Sequence, residues 1–429
     1  MPVNPDTQRI NRRRGLASAA SLLALGVALG AASGAQAQIA RDDSVLNRGP
    51  GKDYASQGIQ LGGFVMKPGL TVGGEYDDNV FRTKHGRKDD FSYHVSPSVS
   101  LATDGWDIVN FSVGASGDIG RYVKYSGENY EAFQTNADLT YAIDDDWTWG
   151  VSGQLGHSLA RRGLDVDNTS NEATTYWYYT AQSNLTYQGD PFAFRFSPVY
   201  RRYDFQNSGG VNNDDRDRQE YQLDARFAYK VGANTSVFFD PSYIWVRYDS
   251  PVDDFGHNRN SEGYDLRVGV GYDASELLYF EAGVGYFRRT FQDHFFKPSS
   301  GVSALVRAWW NPTDSLSFMA EFSRGVTESD AFVNSTVNSG TAITTGAQLR
   351  AGWEAAENLI FDTGFAWYNF NYNVLSRHDN FYVFDIGGRY YLNQYIFTGL
   401  RYNFEHRVSS DSTLNYNDNR IMLTVGGQL

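Results

Sequence analysis

The sequence predicts an all-β fold, a transmembrane antiparallel up-and-down β-barrel of about 18 strands with short periplasmic turns and longer external loops. Three patterns indicate this fold: apolar and polar residues alternate, short and long connections alternate, and aromatic residues cluster at both ends of the strands. Aromatic residues make up 15% of the chain and 43 of its 429 residues are glycine, which is typical of a large all-β protein. Composition alone also allows a secreted sandwich or repeat protein.

The first 37 residues are predicted to form a cleaved signal peptide. Arginines at positions 9, 12, 13 and 14 precede an apolar run over residues 16–32, and Ala35-Gln36-Ala37 is a small-x-small cleavage motif. A membrane anchor helix is the alternative, but Ser21 and two glycines interrupt this short run. We expect cleavage after Ala37, a periplasmic linker over residues 38–62 and an outer-membrane barrel over residues 63–429.

Charge and cysteine content narrow the possible partners. The formal net charge is −13, which argues against nucleic acid because phosphates demand a basic surface. The chain has no cysteine, and a closed barrel is held by its hydrogen-bond ladder without disulfides. The expected partners are outer-membrane lipid and lipopolysaccharide, together with whatever solute passes through the barrel.

Alternation with period two follows the polar linker and continues to the end of the chain. In the clearest segment, Tyr221, Leu223 and Phe227 share one face, and Gln222 and Asp224 share the other. The same alternation recurs over residues 264–272, 278–286, 382–390 and 421–429. Three prolines fall inside predicted strands and should mark bulges or bends, because proline cannot donate to the ladder: Pro97, Pro198 and Pro241.

The connections between strands alternate in length along the chain. Short turns fall at 104–105, 144–146, 189–190, 232–234, 274–277, 311–314, 355–357 and 393–394, and longer polar loops at 79–90, 122–128, 162–173, 207–217, 250–260, 293–298, 329–340, 372–379 and 410–415. A barrel requires such sorting, a sandwich does not, and an even strand count places both termini in the periplasm. No predicted loop exceeds about 12 residues, which disfavours a sieving porin, because such porins fold one long loop into the lumen as a constriction.

Aromatic residues are predicted to form two girdles, one at each lipid–water interface. One set lies beside the short turns and includes Trp106, Tyr141, Trp147, Tyr187, Phe192, Tyr229, Tyr272, Tyr279, Trp310, Trp353, Tyr390 and Tyr395. The second set lies beside the long loops and includes Tyr76, Tyr93, Tyr130, Tyr176, Tyr200, Tyr221, Trp245, Tyr264, Tyr286, Trp367 and Tyr382.

A barrel of this size encloses a water-filled lumen, and the inward faces of its strands carry charges of both signs. Such residues pair with each other across neighbouring strands, or they bind a polar solute in transit through hydrogen bonds. The lumen-lining candidates are Glu75, Asp138, Arg195, Asp224, Arg226, Arg267, Glu281, Arg307, Glu321, Arg350, Asp385, Arg389 and Arg401.

The residues that an enzymatic barrel would need are not arranged for catalysis. The seven histidines are scattered without the spacing of a metal site, and no serine lies in a nucleophile-elbow pattern. We therefore predict no enzyme activity, no catalytic or metal-binding residues, and no cofactor.

The first predicted strand and its exit carry the motif G-x-Y-D-x-N-V-F, formed by Gly74, Tyr76, Asp77, Asn79, Val80 and Phe81. This stretch resembles the Putative beta-barrel porin 2 family of proteobacterial outer-membrane proteins. The resemblance implies an outer-membrane barrel associated with exopolysaccharide secretion, which carries polymer outward together with a periplasmic polysaccharide-export protein. It carries over no catalytic or substrate-binding residue.

Three functions remain open from the sequence. The first is a conduit for polysaccharide export, which rests on the resemblance. The second is a general or solute-specific diffusion porin for small polar solutes. The third is a structural or surface-binding barrel without transport.

Overall fold

The structure is a computed structural model that describes residues 44–163, 172–250, 252–275, 277–333 and 337–429. The predicted signal peptide over residues 1–37 and the first part of the predicted linker lie outside the described residues. One short α-helix, α1 (Val45–Arg48), precedes the strands, and three 3-10 turns lie between them at Ser126–Glu128, Asp214–Arg216 and Ser412–Leu414. None of the helices in the described ranges is long and apolar enough to cross a membrane.

Nineteen strands occupy most of the described chain. In order they are β1 (Ile59–Leu61), β2 (Phe64–Asp77), β3 (Asp90–Thr103), β4 (Val109–Tyr122), β5 (Tyr130–Ala142), β6 (Trp147–Leu159), β7 (Thr175–Gln188), β8 (Phe192–Phe205), β9 (Arg218–Lys230), β10 (Thr235–Tyr248), β11 (Ser261–Ser275), β12 (Leu278–Phe291), β13 (Ser299–Thr313), β14 (Leu316–Val333), β15 (Val337–Ala356), β16 (Leu359–Tyr372), β17 (His378–Tyr391), β18 (Ile396–Ser409) and β19 (Tyr416–Gln428).

Strands β2 to β19 form one closed antiparallel barrel. Each strand pairs with the next in the chain, and β19 returns to β2 over the register from Arg420 opposite Asp77 to Gln428 opposite Gly69. The short strand β1 pairs with the start of β2, beyond the end of β19. Within the described residues the barrel therefore has eighteen strands, and the predicted fold is confirmed.

The connections divide the barrel into two ends. The turn end carries eight short connections, such as residues 314–315 between β13 and β14, and the loop end carries the longer ones, such as residues 78–89. β2 begins and β19 ends at the turn end. The loop predicted over residues 329–340 is wrong, because β14 continues to Val333 and β15 begins at Val337. Backbone pairing continues through most of the polar sequence that suggested a loop, as far as Val333 opposite Val337.

The two faces of the wall follow the predicted alternation. Large apolar side chains are exposed on the outer face, with Val284 at 55% and Leu423 at 58%. On the inner face, charged side chains such as Glu281 and Asp385 are each only 2% exposed. An apolar exterior and a polar interior are what a barrel in lipid requires, because only the lumen offers water and hydrogen-bonding partners.

Aromatic side chains lie on the outer face at both ends of the strands. Trp310, Trp353 and Phe192 are exposed beside the turn end, and Tyr93 and Tyr221 beside the loop end. Three residues predicted for the girdles face the lumen instead. The hydroxyls of Tyr130 and Tyr279 donate to Asp118 and Glu281, and Tyr176 stacks on Phe205. Whether a residue stands at an odd or an even position of its strand decides which face of the wall it lies on. Its position along the strand predicts only how close it lies to one end of the barrel.

The three strand prolines interrupt the ladder without shifting it. Pairing between β3 and β4 pauses at Ser96-Pro97 and resumes in the same register, and the same holds for Pro198 between β7 and β8 and for Pro241 between β9 and β10. The unshifted register excludes a bulge at these prolines, whereas the alternative, a bend of the strand, stays a prediction. A proline removes one donor from one neighbouring ladder, but no extra residue is inserted.

Replacing Val284 with arginine should impair assembly of the barrel. Val284 lies halfway along β12 on the exposed outer face, and an arginine at the lipid midplane costs about 2–4 kcal/mol. The matched control is Gln348→Arg, which places the same charge on the inner face of β15 opposite Glu321. Heat-modifiable electrophoretic mobility of the inserted protein measures the effect, and equal behaviour of the two variants would contradict the assigned faces.

Candidate functional site

Eight charged side chains form a belt around the inner wall, in the half of the barrel nearest the turn end. Arg226 donates to both carboxylate oxygens of Asp240 at 2.7 and 2.6 Å and to Glu281 at 3.0 Å. Arg307 then links Glu281 at 3.5 Å to Glu321 at 2.9 Å. On β16–β18, Arg401 bonds Asp385 and Asp362, each at 2.7 Å. We call these residues the charged belt: Asp240, Arg226, Glu281, Arg307, Glu321, Asp362, Arg401 and Asp385.

Small residues on β11 allow Arg226 to reach across the wall from β9 to β12. The Arg226 guanidinium lies 4.2 Å above the ring of Phe238, and that ring lies against Gly269. A Cβ atom at Gly269 would lie 2.3 Å from the Phe238 ring and 2.4 Å from the carbonyl oxygen of Ala282. Because Gly269 has no side chain, the Phe238 ring and the Arg226 guanidinium above it can lie flat on the wall. The belt stiffens the wall without filling the lumen.

Most of the predicted lumen-lining residues face inward, but they do not form one site. Arg226, Glu281, Arg307, Glu321, Asp385 and Arg401 meet in the charged belt, and Arg267 pairs separately with Asp265 at 2.7 Å. Arg195 stands directly opposite Arg226 on the neighbouring strand. Within the described residues, Arg195, Arg350, Glu75 and Arg389 contact no oppositely charged side chain. Asp138 accepts from Asn136, and Asp224 from Gln222.

The segment before β1 enters the barrel at the turn end. The backbone nitrogen of Val45 in α1 donates to the Ser317 hydroxyl at 2.9 Å, and Leu46 fills the space above Gly352. Both Ser317 and Gly352 lie on the inner face of the wall. Arg48 forms an ion pair with Glu354.

The same segment then runs to the seam between β19 and β2. The backbone nitrogen of Gly51 donates to the Glu357 carbonyl at 2.9 Å, whereas Gln428 donates to the Tyr54 carbonyl at 3.3 Å and Ser56 donates to the carbonyl of Leu429. Strands β16, β17 and β18 lie between these two attachment points. Residues 44–56 therefore extend across part of the turn-end opening.

The connection between β6 and β7 reaches across the loop end. Its described residues 160–163 lead from β6 toward β18 and β19, although five strands lie between β6 and β18 on the shorter path. Arg407 of β18 donates to the Gly163 carbonyl at 2.7 Å, and a Cβ atom at Gly163 would lie 2.6 Å from the Tyr416 ring. Arg162 pairs with Glu128. The interval between β6 and β7 spans residues 160–174, which is longer than the roughly 12 residues predicted for the longest loop.

The β14–β15 hairpin covers another part of the loop end. Glu328 on β14 lies 3.5 Å from Arg289 of β12 and accepts from the Tyr248 hydroxyl of β10 at 3.1 Å. Thr341 and Ala342 on β15 are both fully buried. Since adjacent residues of a strand point to opposite faces, both faces of the hairpin are covered here. The hairpin therefore leans over the mouth.

The sequence motif lies where the barrel closes. One oxygen of Asp77 accepts from the Asn79 backbone at 2.7 Å, and the other accepts from Arg82 at 2.9 Å. The Asn79 side chain donates to the carbonyls of Thr83 at 2.9 Å and Asn417 at 2.7 Å. These bonds fasten the loop after β2 to the last strand, about 340 residues away in sequence.

The remaining motif positions support the same seam. Asp78 accepts from the backbone and the side chain of Asn419 at 2.8 and 2.7 Å. Val80 is buried, and the ring of Phe81 packs edge-on against Tyr125. A Cβ atom at Gly74 would lie 2.5 Å from the ring of Phe91, so a larger residue there would displace that ring. Tyr76 is exposed on the outer face.

Three carboxylates of Asp77, Asp78 and Asp418 approach each other within 4.8 Å at this seam. Guanidinium nitrogens of Arg82 and Arg420 lie 3.0 and 3.1 Å from the Asp418 carboxylate. These two arginines supply positive charge beside the three carboxylates. Burial disfavours the charged guanidinium, but the carboxylates of Asp418, Asp77 and Glu405 outweigh it and raise the pKa of Arg82 well above its ordinary value. The cluster therefore joins the first and last strands of the barrel, β2 and β19, through ion pairs.

Two groups of inner-face residues were missed by the sequence reasoning, which considered only charged side chains. Buried aromatic residues on β16 and β17, among them Tyr368 and Phe381, form an apolar patch with Tyr416. On β5–β7 the inner face carries uncharged amides: Gln134, Asn136, Gln154, Gln182 and Asn184. Their period-two positions could have identified them as lumen residues.

Comparison with known proteins gives one family and several distant structures. The family model described as Putative beta-barrel porin 2 matches residues 52–429. No curated protein matches the sequence significantly.

Solved structures that are similar include OccK3 (OpdO) of Pseudomonas aeruginosa, with 15% identity, 85% of this chain and 96% of that chain covered, and a TM-score of 0.42. OpdQ of Pseudomonas aeruginosa has 14% identity, coverages of 85% and 98%, and a TM-score of 0.43. OccAB4 of Acinetobacter baumannii has 11% identity, coverages of 85% and 98%, and a TM-score of 0.42.

Replacing Arg82 with alanine should destabilise the closed barrel. The change leaves the buried carboxylates of Asp77 and Asp418 with less compensating charge, which costs about 3 kcal/mol when a buried pair is broken. Urea unfolding of the protein in detergent or lipid measures this loss.

The control for this prediction is Arg121→Ala. Arg121 pairs with Glu131 on the surface, where the two side chains are 43% and 70% exposed, so its loss should cost less than about 1 kcal/mol. Equal losses in the two variants would show that the seam ion pairs do not hold the barrel closed.

Proposed function

Given that the chain belongs to the Putative beta-barrel porin 2 family and is an outer-membrane β-barrel channel, we propose that it is a gated conduit for polysaccharide export. The supporting observation is that the chain partly covers its own channel at both ends. Residues 44–56 extend across part of the turn end, and residues 160–163 cross the loop end to Arg407. A permanently open sieve has no need of attachments at both mouths, whereas a conduit that opens for one polymer does.

The turn end faces the periplasm in this proposal, and both termini lie there. Short turns at the periplasmic side and longer connections outside are the usual arrangement of outer-membrane barrels. A periplasmic polysaccharide-export protein would then meet residues 44–56 first. Among the described residues, displacing α1 requires loss of the Val45–Ser317 hydrogen bond, the packing of Leu46, the Arg48–Glu354 ion pair and the bond from Arg48 to the Asp314 carbonyl. The outer face would contact lipid and lipopolysaccharide.

Diffusion of small polar solutes is the second candidate function. The β6–β7 connection favours it, because a segment that reaches into the mouth narrows a pore to the size of a small solute. In that case residues 160–163 act as a fixed constriction, and the contact between Arg407 and Gly163 would determine pore size without opening and closing.

Single-channel recording of the mature chain in planar bilayers distinguishes the two functions. Export predicts low conductance in the wild type and frequent opening in Arg407→Ala, because this change removes the bond to the Gly163 carbonyl and the 2.8 Å bond to Asp379. Polysaccharide added to the open variant should block its current.

The matched control is Arg389→Ala. Arg389 also faces the lumen, but among the described residues its hydrogen bond goes to the Tyr391 hydroxyl at 3.2 Å, and its guanidinium lies over Phe397 near the turn end. Its removal should leave the open probability unchanged. A large, constantly open wild-type pore that polysaccharide does not block would contradict export and support diffusion.

A further inference from the structure

The inner wall of β5–β8 differs chemically from the rest of the lumen. Gln134 and Asn136 on β5, Gln154 on β6, and Gln182 and Asn184 on β7 all face inward and are half-buried. We call these five residues the amide wall. Asn136 and Gln154 stand directly opposite each other, and Ser197 of β8 continues the surface by donating to Asn184 at 2.6 Å. Charged side chains are sparse here, whereas the charged belt begins at β9.

Each amide bonds its neighbours with one polar group and leaves the other facing the lumen. Gln154 donates to the Gln134 oxygen at 3.4 Å, Gln182 donates to the Asn184 oxygen at 2.9 Å, and Asn136 donates to Asp138 at 3.2 Å. Within the described residues this leaves amide donors at Gln134 and Asn184 and amide oxygens on the other three without a protein partner. The wall therefore offers donors and acceptors side by side, held in place by their own hydrogen bonds.

An aromatic ring stands at the loop-end side of the amide wall. Tyr178 of β7 donates to the Gln134 oxygen at 3.3 Å, and its ring lies against Gly156, where a Cβ atom would approach to 2.5 Å. Tyr178 is half-buried and packs toward Tyr203, Phe205 and Ala160, the last of which belongs to the β6–β7 connection. The path along the amide wall therefore leads toward the segment that covers the mouth.

From this arrangement we infer that the amide wall and Tyr178 form a binding track for uncharged saccharide. A sugar hydroxyl both donates and accepts, so it matches a surface that presents free amide donors and acceptors together. The apolar face of a sugar ring packs on an aromatic side chain such as Tyr178. The neutral amides offer an anionic polymer no ion pair, and the arginines of the charged belt are already bonded to carboxylates. Arg195 of β8 lies beside the wall and is available to an anion, so an anionic probe belongs in the test.

This inference rests on the proposed function, since it names the class of polymer that the conduit carries. It is tested by equilibrium binding, which does not require the pore to conduct. Isothermal titration calorimetry on the detergent-purified mature barrel would use maltoheptaose and cellopentaose as neutral probes and oligogalacturonate as the anionic probe. The neutral probes should bind, and oligogalacturonate should bind weakly or not at all.

The test variant combines Gln134→Ala, Gln154→Ala and Asn184→Ala, and should weaken neutral binding by about tenfold or more, because each lost hydrogen bond costs a few-fold in affinity. The matched control is Gln348→Ala, an inward-facing amide on β15, which eight strands separate from β6 in both directions. Heat-modifiable mobility verifies that every variant is folded.

The control should bind like the wild type. Three results would overturn the proposal that the amide wall binds neutral saccharide. The control and the triple variant could lose affinity equally, the triple variant could bind like the wild type, or oligogalacturonate could be the one probe that binds. Binding of oligogalacturonate alone would contradict this inference but not the proposed saccharide conduit. Absence of saccharide block in the bilayer recordings would contradict the conduit itself.

Discussion

The closure of the sheet between β2 and β19 is the interaction on which the rest of the structure depends. In lipid, every backbone donor and acceptor must be paired within the protein, and a closed antiparallel ladder is the way for strands to achieve this. The motif residues Asp77 and Asn79 lie at that junction, and with Arg82 they bind the loop after the first barrel strand to the last strand. Closing a chain of this length costs entropy, and buried bonds between its two ends offset part of that cost.

Closure also separates two environments. The outer face meets lipid and carries large exposed apolar side chains, while the inner face meets water and is divided into regions with different chemistry. Glycines make this division possible: Gly269 lets Phe238 and Arg226 lie flat within the charged belt, and Gly156 accommodates the Tyr178 ring beside the amide wall. A bulky residue at either place would push its neighbour into the lumen and narrow the channel.

The segments that cover the two ends, residues 44–56 and 160–163, are attached through fewer contacts than the strands of the wall, which are held by the backbone hydrogen-bond ladder. At the turn end, the described contacts of α1 with the wall are the Val45–Ser317 hydrogen bond, the packing of Leu46, and the bonds of Arg48 to Glu354 and to the Asp314 carbonyl. At the loop end, the described part of the β6–β7 connection is attached mainly through Arg162 and Arg407. A ladder of backbone bonds opens cooperatively, whereas such side-chain contacts exchange individually, so the coverings can move while the barrel stays intact.

The sequence by itself determined the class of fold, the number of strands and the direction of most side chains, because a period of two and the alternation of connection lengths are local properties. Local pattern also placed six of the eight charged-belt residues among the lumen-lining candidates, but not Asp240 or Asp362. It could not determine their partners, since Arg226 and Glu281 lie on strands that are not neighbours.

Only the tertiary structure decided what lies across the lumen. Gly163 meets Arg407, and Glu328 meets Tyr248, through contacts between residues far apart in sequence, so no spacing rule reports them. The unshifted prolines were decided in the same way, by pairing with neighbouring strands. In a barrel, local alternation fixes which side a residue faces, but the curvature of the whole sheet decides what it meets there.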